Sequence, residues 1–332
     1  MINFCTYFDI NYIHKGLALY DSLVNTGSEF KLWILCFDKN LYEVLRELNL
    51  PHSILISESE FEYKDESLVN VKGSRSRVEY YWTSTASLPL YVFKQDLTIE
   101  VLIYLDADIF FFSSPVAILD ELGDGNILIV PHDYSIEFKD GHAEAGIYNV
   151  GVMAFRNNKD AIECLQWWRE RCIEWCFWKY ENGQIGDQAY LNDWPERFKK
   201  VVVCKNIGIN AAPWNIAKYG LSLSENGKYF AGSTPLVCYH FHYLRICNSK
   251  FAFIGGFKIN LPTKILAMIY RPYIYTLISV KNLLFANKFK IEIPKSGIPW
   301  RYMAGRIRKN QPLRHFLWIK ESNALYDYCS IQ

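Results

Sequence analysis

Residues Val101-Leu102-Ile103-Tyr104-Leu105-Asp106-Ala107-Asp108-Ile109-Phe110-Phe111 set two carboxylates into an otherwise apolar run. The five residues before Asp106 suit a buried β-strand. Read as i and i+2 of that strand, Asp106 and Asp108 leave the same face. Two like charges in apolar surroundings are costly unless a cation sits beside them. Hard divalent ions take oxygen ligands and keep positions open for substrate phosphates. The pattern therefore predicts a metal–diphosphate site at a strand end. A solvated strand end that caps a turn is the plainer reading, because Asp-x-Asp alone is a short pattern.

Working outward, apolar runs alternate with helix-like segments. Residues 3–8, 31–37 and 53–56 read as strands upstream, and 126–130, 147–155, 199–204 and 235–241 downstream. Helical spacing follows Ile13, Leu17, Tyr20 and Val24, then 41–48, then 75–93 with a break near Pro89, then roughly 159–180. This alternation predicts an α/β fold, a Rossmann-like, mostly parallel sheet with helices on both faces. The continuous apolar strands agree, since a one-sided sheet would alternate. Ligands of such sheets gather beyond the carboxyl ends of the strands. Trp167, Trp168, Trp175 and Trp178 fall at helical spacing and read as core rather than as a sugar platform.

Half of the 332 residues are hydrophobic and 21% are charged, which excludes disorder as the main state. The nine cysteines are odd in number and form no Cys-x-x-Cys pair, so neither a disulfide framework nor a zinc knuckle fits. Cysteines used singly in apolar runs suggest a reducing compartment. Met1–Phe8 lacks a basic region followed by an apolar signal segment, and a cytoplasmic location is expected.

Charge is unevenly spread. From Lys250 onward there are 14 Lys and Arg against 3 Asp and Glu, while residues 1–249 carry 22 against 32. The expected division is a catalytic domain over 1–249 and a basic, aromatic-rich helical C-terminal region over 250–332. Within the latter, 261–287 is apolar but interrupted by Lys264, Arg271, Pro272 and Lys281. The Arg-Pro pair argues against a bilayer span. An interfacial amphipathic helix pair fits better, with peripheral contact to the anionic inner face of the cell membrane. The same composition also fits a helical subdomain packed on the catalytic core.

A second signal lies in Pro235–Cys247, where His240 and His242 leave one face of a strand. Imidazole suits Mn²⁺ better than Mg²⁺. Taken alone, two ordinary core or surface histidines on a strand explain it better.

Four stretches together carry a resemblance. They are Phe8-Asp9-Ile10-Asn11-Tyr12, then Tyr104-Leu105-Asp106-Ala107-Asp108, then Asn149-Val150-Gly151-Val152 followed by Gly186-Asp187-Gln188, and finally His240-Phe241-His242. In that order, over about residues 1–247, the chain resembles a GT-A glycosyltransferase of glycosyltransferase family 8, the glycogenin and bacterial lipooligosaccharide galactosyltransferase group. The resemblance implies a UDP-sugar donor, with Asp9 accepting from the uracil ring, Thr6 and Asn11 beside it and Tyr12 stacked on the base. It implies Mn²⁺ (or Mg²⁺) on Asp106, Asp108 and His240. Asn149 and Gly151 would line the donor-sugar pocket, and Asp187 and Gln188 would face the reacting carbon. Arg77, in Arg75-Ser76-Arg77-Val78-Glu79, is placed to reach the donor diphosphate, and solvated helix-terminal charge is the equal alternative.

The fourth motif departs from the family pattern H-x-x-G-x-x-K-P-W. Tyr243 stands where Gly is usual and no Lys-Pro-Trp follows. Arg245, one position from the missing Lys, is expected to take the β-phosphate contact. His240 and His242 both remain open as the metal ligand, with His240 favoured by alignment.

The implied activity is metal-dependent transfer of a hexose to a hydroxyl of a glycan or lipid-linked acceptor, with retention, in cell-surface polysaccharide synthesis. A sugar-1-phosphate nucleotidyltransferase would need a Gly-rich N-terminal loop with Arg, and a dehydrogenase G-x-G-x-x-G after the first strand. Neither is present. A haloacid-dehalogenase phosphatase would carry its Asp-x-Asp at the first strand. A catalytically inactive, glycan-binding relative is opposed by the intact Asp pair. No nucleic-acid recognition module is present, and none is expected as a partner.

Overall fold

A computed structural model of the chain describes residues 1–63, 65–138, 145–242, 244–246, 251–253, 263–291 and 316–318. Its centre is a seven-stranded sheet. The strands are β1 (Ile2–Phe8), β2 (Phe30–Cys36), β3 (Ser53–Ser57), β4 (Val101–Leu105), β6 (Ile127–Pro131), β7 (Tyr148–Arg156) and β8 (Val201–Val203), with a short β5 (Ile109–Phe111) outside it. The order is β3-β2-β1-β4-β7-β6-β8. β1 runs parallel to β2 and β4, β2 to β3, and β6 to β8. β7 alone is antiparallel, to both β4 and β6. The sheet is thus mostly parallel, as the apolar runs predict.

Each strand feeds two cores. Phe4, Leu32, Ile34, Ile103 and Leu105 join one cluster, and Cys5, Trp33, Leu35, Leu102 and Tyr104 the other. The first is covered by α1 (Ile13–Asn25), α2 (Lys39–Leu48) and α7 (Val116–Leu122) through Leu17, Leu45 and Ile118. The second is covered by α5 (Arg77–Ser84), α6 (Ser87–Gln95) and the helix Lys159–Glu174, which contributes the fully buried Trp168. Burial on both sheet faces explains why these strands read as unbroken apolar runs.

Four local expectations are corrected. Asp106–Asp108 is not part of a strand but a tight turn between β4 and β5, closed by Ile109 N donating to Asp106 O at 3.1 Å. The helix break falls at Thr85–Ala86, so that Pro89 sits in the first turn of α6, where its missing N–H costs nothing. The helix expected to reach 180 stops at Glu174. Beyond it Glu181 and Gln184 exchange backbone hydrogen bonds across Asn182 and Gly183, both at positive φ, the signature of a tight Asn-Gly hairpin turn.

The fourth concerns the amphipathic helix pair over 261–287, which is one helix, Thr263–Ala286, with Pro272 inside it. An interior proline costs roughly 3 kcal/mol. Here Ile269 and Tyr270 before it, and Tyr273, Ile274 and Leu277 after it, pack into one core with Ala18, Phe110 and Phe241, so tertiary burial holds both halves in line. Among the described residues no helix is long and apolar enough to cross a membrane.

Candidate functional site

The sheet order reverses at β1, whose neighbours are β2 and β4. The site lies at the carboxyl ends of β1 and β4, where such reversals open a crevice. Asp106 N donates to Gly151 O (2.9 Å), which anchors the Asp turn to β7. β5 pairs antiparallel with β12 (Cys238–His240), placing His240 opposite Ile109. Phe241 N donates to Asp108 O (2.9 Å). This register brings His240 Nε2 to 3.1 Å from Asp108 Oδ1 and 3.7 Å from Asp106 Oδ2. Ligand atoms of Asp108, His240 and His242 all lie within 4.8 Å of one another. Trp214 packs edge-on against both histidines, at 5.3 and 5.9 Å between ring centroids.

The tautomer of His240 follows from its neighbours. Asn149 Nδ2 donates to Gln188 Oε1 (3.0 Å), and Gly151 N donates to Asn149 Oδ1 (2.9 Å). That carboxamide oxygen is therefore an acceptor, and the His240 Nδ1 3.2 Å away must donate to it. In the neutral ring the lone pair is left on Nε2, which faces the two aspartates; without a cation the Asp108 carboxylate 3.1 Å away favours a proton there, and a divalent cation would take that proton's place. This is how ligating histidines are oriented from behind. Gly151 makes the approach possible. A Cβ there would stand 2.6 Å from Asn149 Oδ1 and 2.7 Å from the His240 ring. Carboxylates plus imidazole form a donor set that fits a divalent cation, Mn²⁺ better than Mg²⁺.

Charge separates the two aspartates. Burial would raise Asp108, but Lys15 and His240 hold it well below the usual carboxylate range. Burial and the Asp108 charge keep Asp106 raised against the pull of His240. His240 itself would be lowered by burial, and Asp108 more than offsets this, leaving it raised. A polar chain runs beneath the turn. Tyr104 OH donates to Asp106 Oδ1 (2.8 Å), Tyr104 meets Tyr7, Tyr7 OH lies 3.0 Å from Thr85 Oγ1, and Thr85 meets Asp187. Desolvation, with Asp106 adding to it, pushes Asp187 up to about 7.

At the other end of the crevice Asp9 caps a 3-10 turn, Ile10–Tyr12, that leads into α1. Its carboxylate accepts from Asn11 N (2.9 Å), Tyr12 N (3.2 Å) and Tyr81 OH (3.1 Å). Arg77 opens α5 behind a Ser76/Glu79 capping box and pairs with Asp9 (3.4 Å) and Asp38 (3.6 Å). Tyr12 is exposed.

A family model for nucleotide-diphospho-sugar transferases matches residues 31–204, which span β2 to β8 and include the Asp turn, Asn149, Gly151, Asp187 and Gln188. The chain belongs to the nucleotide-diphospho-sugar transferase family. It is a glycosyltransferase with a GT-A fold. Two Bacillus subtilis (strain 168) relatives are the uncharacterized proteins YfnD, 32% identical over 90% of this chain and 96% of its own, and YfnF, 29% identical over 73% and 82%. The crystal structure of galactosyltransferase LgtC with donor and acceptor sugar analogues superposes with a TM-score of 0.51 at 15% identity, over 84% of this chain and 96% of that one.

In this transferase the turn, β7 and β12 bring Asp106, Asp108, Asn149, Gly151, Gln188 and His240 together. Gln188 also donates to Ala145 O (2.6 Å), so both ends of its side chain are held. Asp9, Asn11, Tyr12 and Arg77 cluster at the other end, and Arg77 stands with Asp9 and Asp38. Thr6 is fully buried in β1, its hydroxyl without a partner. Arg245 is exposed, on a short strand paired with Phe253. Tyr243 lies outside the described residues.

Lys15 escaped the sequence reading. Its Nζ donates to Asp108 Oδ2 (3.1 Å) from the first turn of α1, and it is buried. Only its place after Asn11-Tyr12, one turn into a helix at a site, could have flagged it. Trp214 and Tyr81 gave no signal at all.

Proposed function

We propose that the protein transfers a hexose from a UDP-sugar to a hydroxyl of a glycan or lipid-linked acceptor, with retention and with a divalent cation, Mn²⁺ above Mg²⁺. The supporting observation is the His240 ring, held from behind by Asn149 so that Nε2 faces Asp106 and Asp108. Asp106, Asp108 and His240 would hold the cation, with His242 close enough to join them. Bound there, a divalent cation supplies Lewis-acid stabilisation of a departing diphosphate.

The chain's own groups do the rest. Tyr12 offers an aromatic face to the base, and Asp9 and Asn11 shape the turn beneath it. Asn149 orients His240 and is itself held by Gln188, so one network spans cation and sugar positions. Asp187 and Gln188 stand nearest the anomeric carbon and stabilise its oxocarbenium character. The C1–phosphate bond breaks as the C1–acceptor oxygen bond forms on the same face, which needs no strong protein base.

The acceptor belongs to cell-surface polysaccharide synthesis, and the catalytic unit is 1–249. The basic region after it meets an anionic membrane face, as the exposed Tyr275, Lys281, Leu283 and Phe285 of its helix favour. Salt-sensitive co-sedimentation with anionic liposomes checks that contact. The donor is checked by a thermal-shift panel of nucleotide sugars with and without Mn²⁺. UDP-sugars should raise the melting temperature only with the cation. Equal shifts without cation, or none with any nucleotide, would remove this reading.

A further inference from the structure

Lys15 is misplaced for a structural lysine. It sits in the first turn of α1, three residues after Tyr12, and its Nζ lies both 3.1 Å from Asp108 Oδ2 and 4.5 Å from the centre of the Tyr12 ring. Its side chain is 8% exposed and that of Asp108 10%. An ammonium this deep costs several kcal/mol unless an anion is always at hand. Packing alone would have been served more cheaply by Met or Leu.

The position matters more than the pairing. Tyr12 is the proposed base platform and Asp108 the proposed cation ligand. A nucleoside diphosphate bound between them must carry its phosphates across the gap that Nζ occupies. Lysine suits this, with three donors on a flexible four-carbon stem. Asp108 cannot serve two cations equally. Once its charge is shared with a divalent ion, Lys15 loses its counter-charge and needs another, and the diphosphate is the anion that arrives.

We infer that Lys15 is an exchangeable counter-ion: it neutralises Asp108 in the free enzyme and transfers to the donor diphosphate in the loaded one. Lys15 and a divalent cation therefore compete for Asp108 when no nucleotide is present. Cation and nucleoside diphosphate bind cooperatively, because each relieves the charge that the other leaves uncompensated. Lys15 thereby takes over a contact that the absent Lys-Pro-Trp segment cannot make. This rests on the proposed UDP-sugar reading of the site.

The test is binding, not turnover. Mn²⁺ affinity is measured by electron paramagnetic resonance of the free ion, with and without UDP, and UDP affinity by calorimetry at saturating Mn²⁺. Wild-type protein should bind Mn²⁺ at least about 5-fold more tightly with UDP present. Lys15→Gln and Lys15→Met should bind Mn²⁺ alone more tightly than wild type, bind UDP about 10-fold or more weakly, and lose most of the coupling. If both variants keep wild-type UDP affinity and coupling, Lys15 is a static ion-pair partner and the inference is overturned. Should either variant fail to fold, wild-type coupling near unity overturns it equally. A wild-type protein that binds neither Mn²⁺ nor UDP would instead remove the donor reading itself.

Discussion

The two ends of the crevice are built differently. At the Asp106–Asp108 end the polar groups answer to one another: Asp108 to Lys15 and His240, His240 to Asn149, Asn149 to Gln188, and Asp106 to Tyr104. At the Asp9 end the carboxylate is likewise saturated, but the groups meant to meet a ligand, Tyr12 and Arg77, are about half exposed. The first end is preorganised and buried, so changes there should cost stability and chemistry together. The second is open, so changes should cost binding alone. Substitutions at five positions probe that contrast.

Asp108→Ala should be the most damaging. It leaves the buried Lys15 without its carboxylate, and breaking such a pair costs about 3–5 kcal/mol. Transfer should fall by about three orders of magnitude or more. Asp106→Ala should lose transfer to a similar degree with little loss of melting temperature, because its carboxylate is raised and has no ammonium partner. Equal destabilisation by both would show that Lys15 is not paired as described. Melting curves and a transfer assay with added Mn²⁺ check this.

Asp187→Asn comes next, and its effect should depend on pH. The folded carboxyl titrates at about 7, against 3.8 for an ordinary one. Folding then binds the proton more tightly, so this group's contribution to stability is full below about pH 4 and is lost as pH rises through 7. Three units correspond to roughly 4 kcal/mol. Asn does not titrate. The variant should match wild type near pH 4, gain on it as pH rises towards 7 and keep a constant lead above that, in urea unfolding at each pH. A constant difference would mean that Asp187 is ionised throughout.

Much of this was legible beforehand, and the reasons for the remainder are physical. Strand Val101–Leu105 and the apolar runs around it could be read because both sheet faces are covered. The Asp-x-Asp residues could be read as a pair, but strand and turn stayed open for them, since Ile109-Phe110-Phe111 continues the apolar pattern after them. Lys15 stayed hidden because a single lysine in an amphipathic helix ordinarily marks its wet face. The choice between His240 and His242 was left open by alternation, and the fold brings both near Asp108 because the strand ends at His240 and the chain turns. Trp168 read correctly as core, whereas Trp178, at the same helical spacing, is exposed on the loop after the helix stops.

Gly151→Ala should cost less, about 1–3 kcal/mol, as small-to-large changes in packed sites do. The new methyl would press on both Asn149 Oδ1 and the His240 ring. Rotating that ring spoils Nε2 as a ligand, so Mn²⁺ affinity in the presence of UDP should fall about 10–100-fold, the usual result of disturbing the groups behind a ligating histidine. Unchanged affinity would detach Asn149 from the site.

Tyr12→Ala should have the smallest effect on the protein and a selective one on its ligand. The ring is 47% exposed, with the Lys15 Nζ 4.5 Å from its centre. Stability should stay within about 0.5 kcal/mol of wild type. Base–aromatic stacking is worth about 1–3 kcal/mol, so the donor KM should rise about 5- to 150-fold while kcat, set at the buried end, stays near wild type. Tyr12→Phe should restore the KM, since the ring and not the hydroxyl meets the base. A fall in kcat equal to the rise in KM would show that the exposed end shares in the transition state, and the division between a binding end and a chemical end would fail.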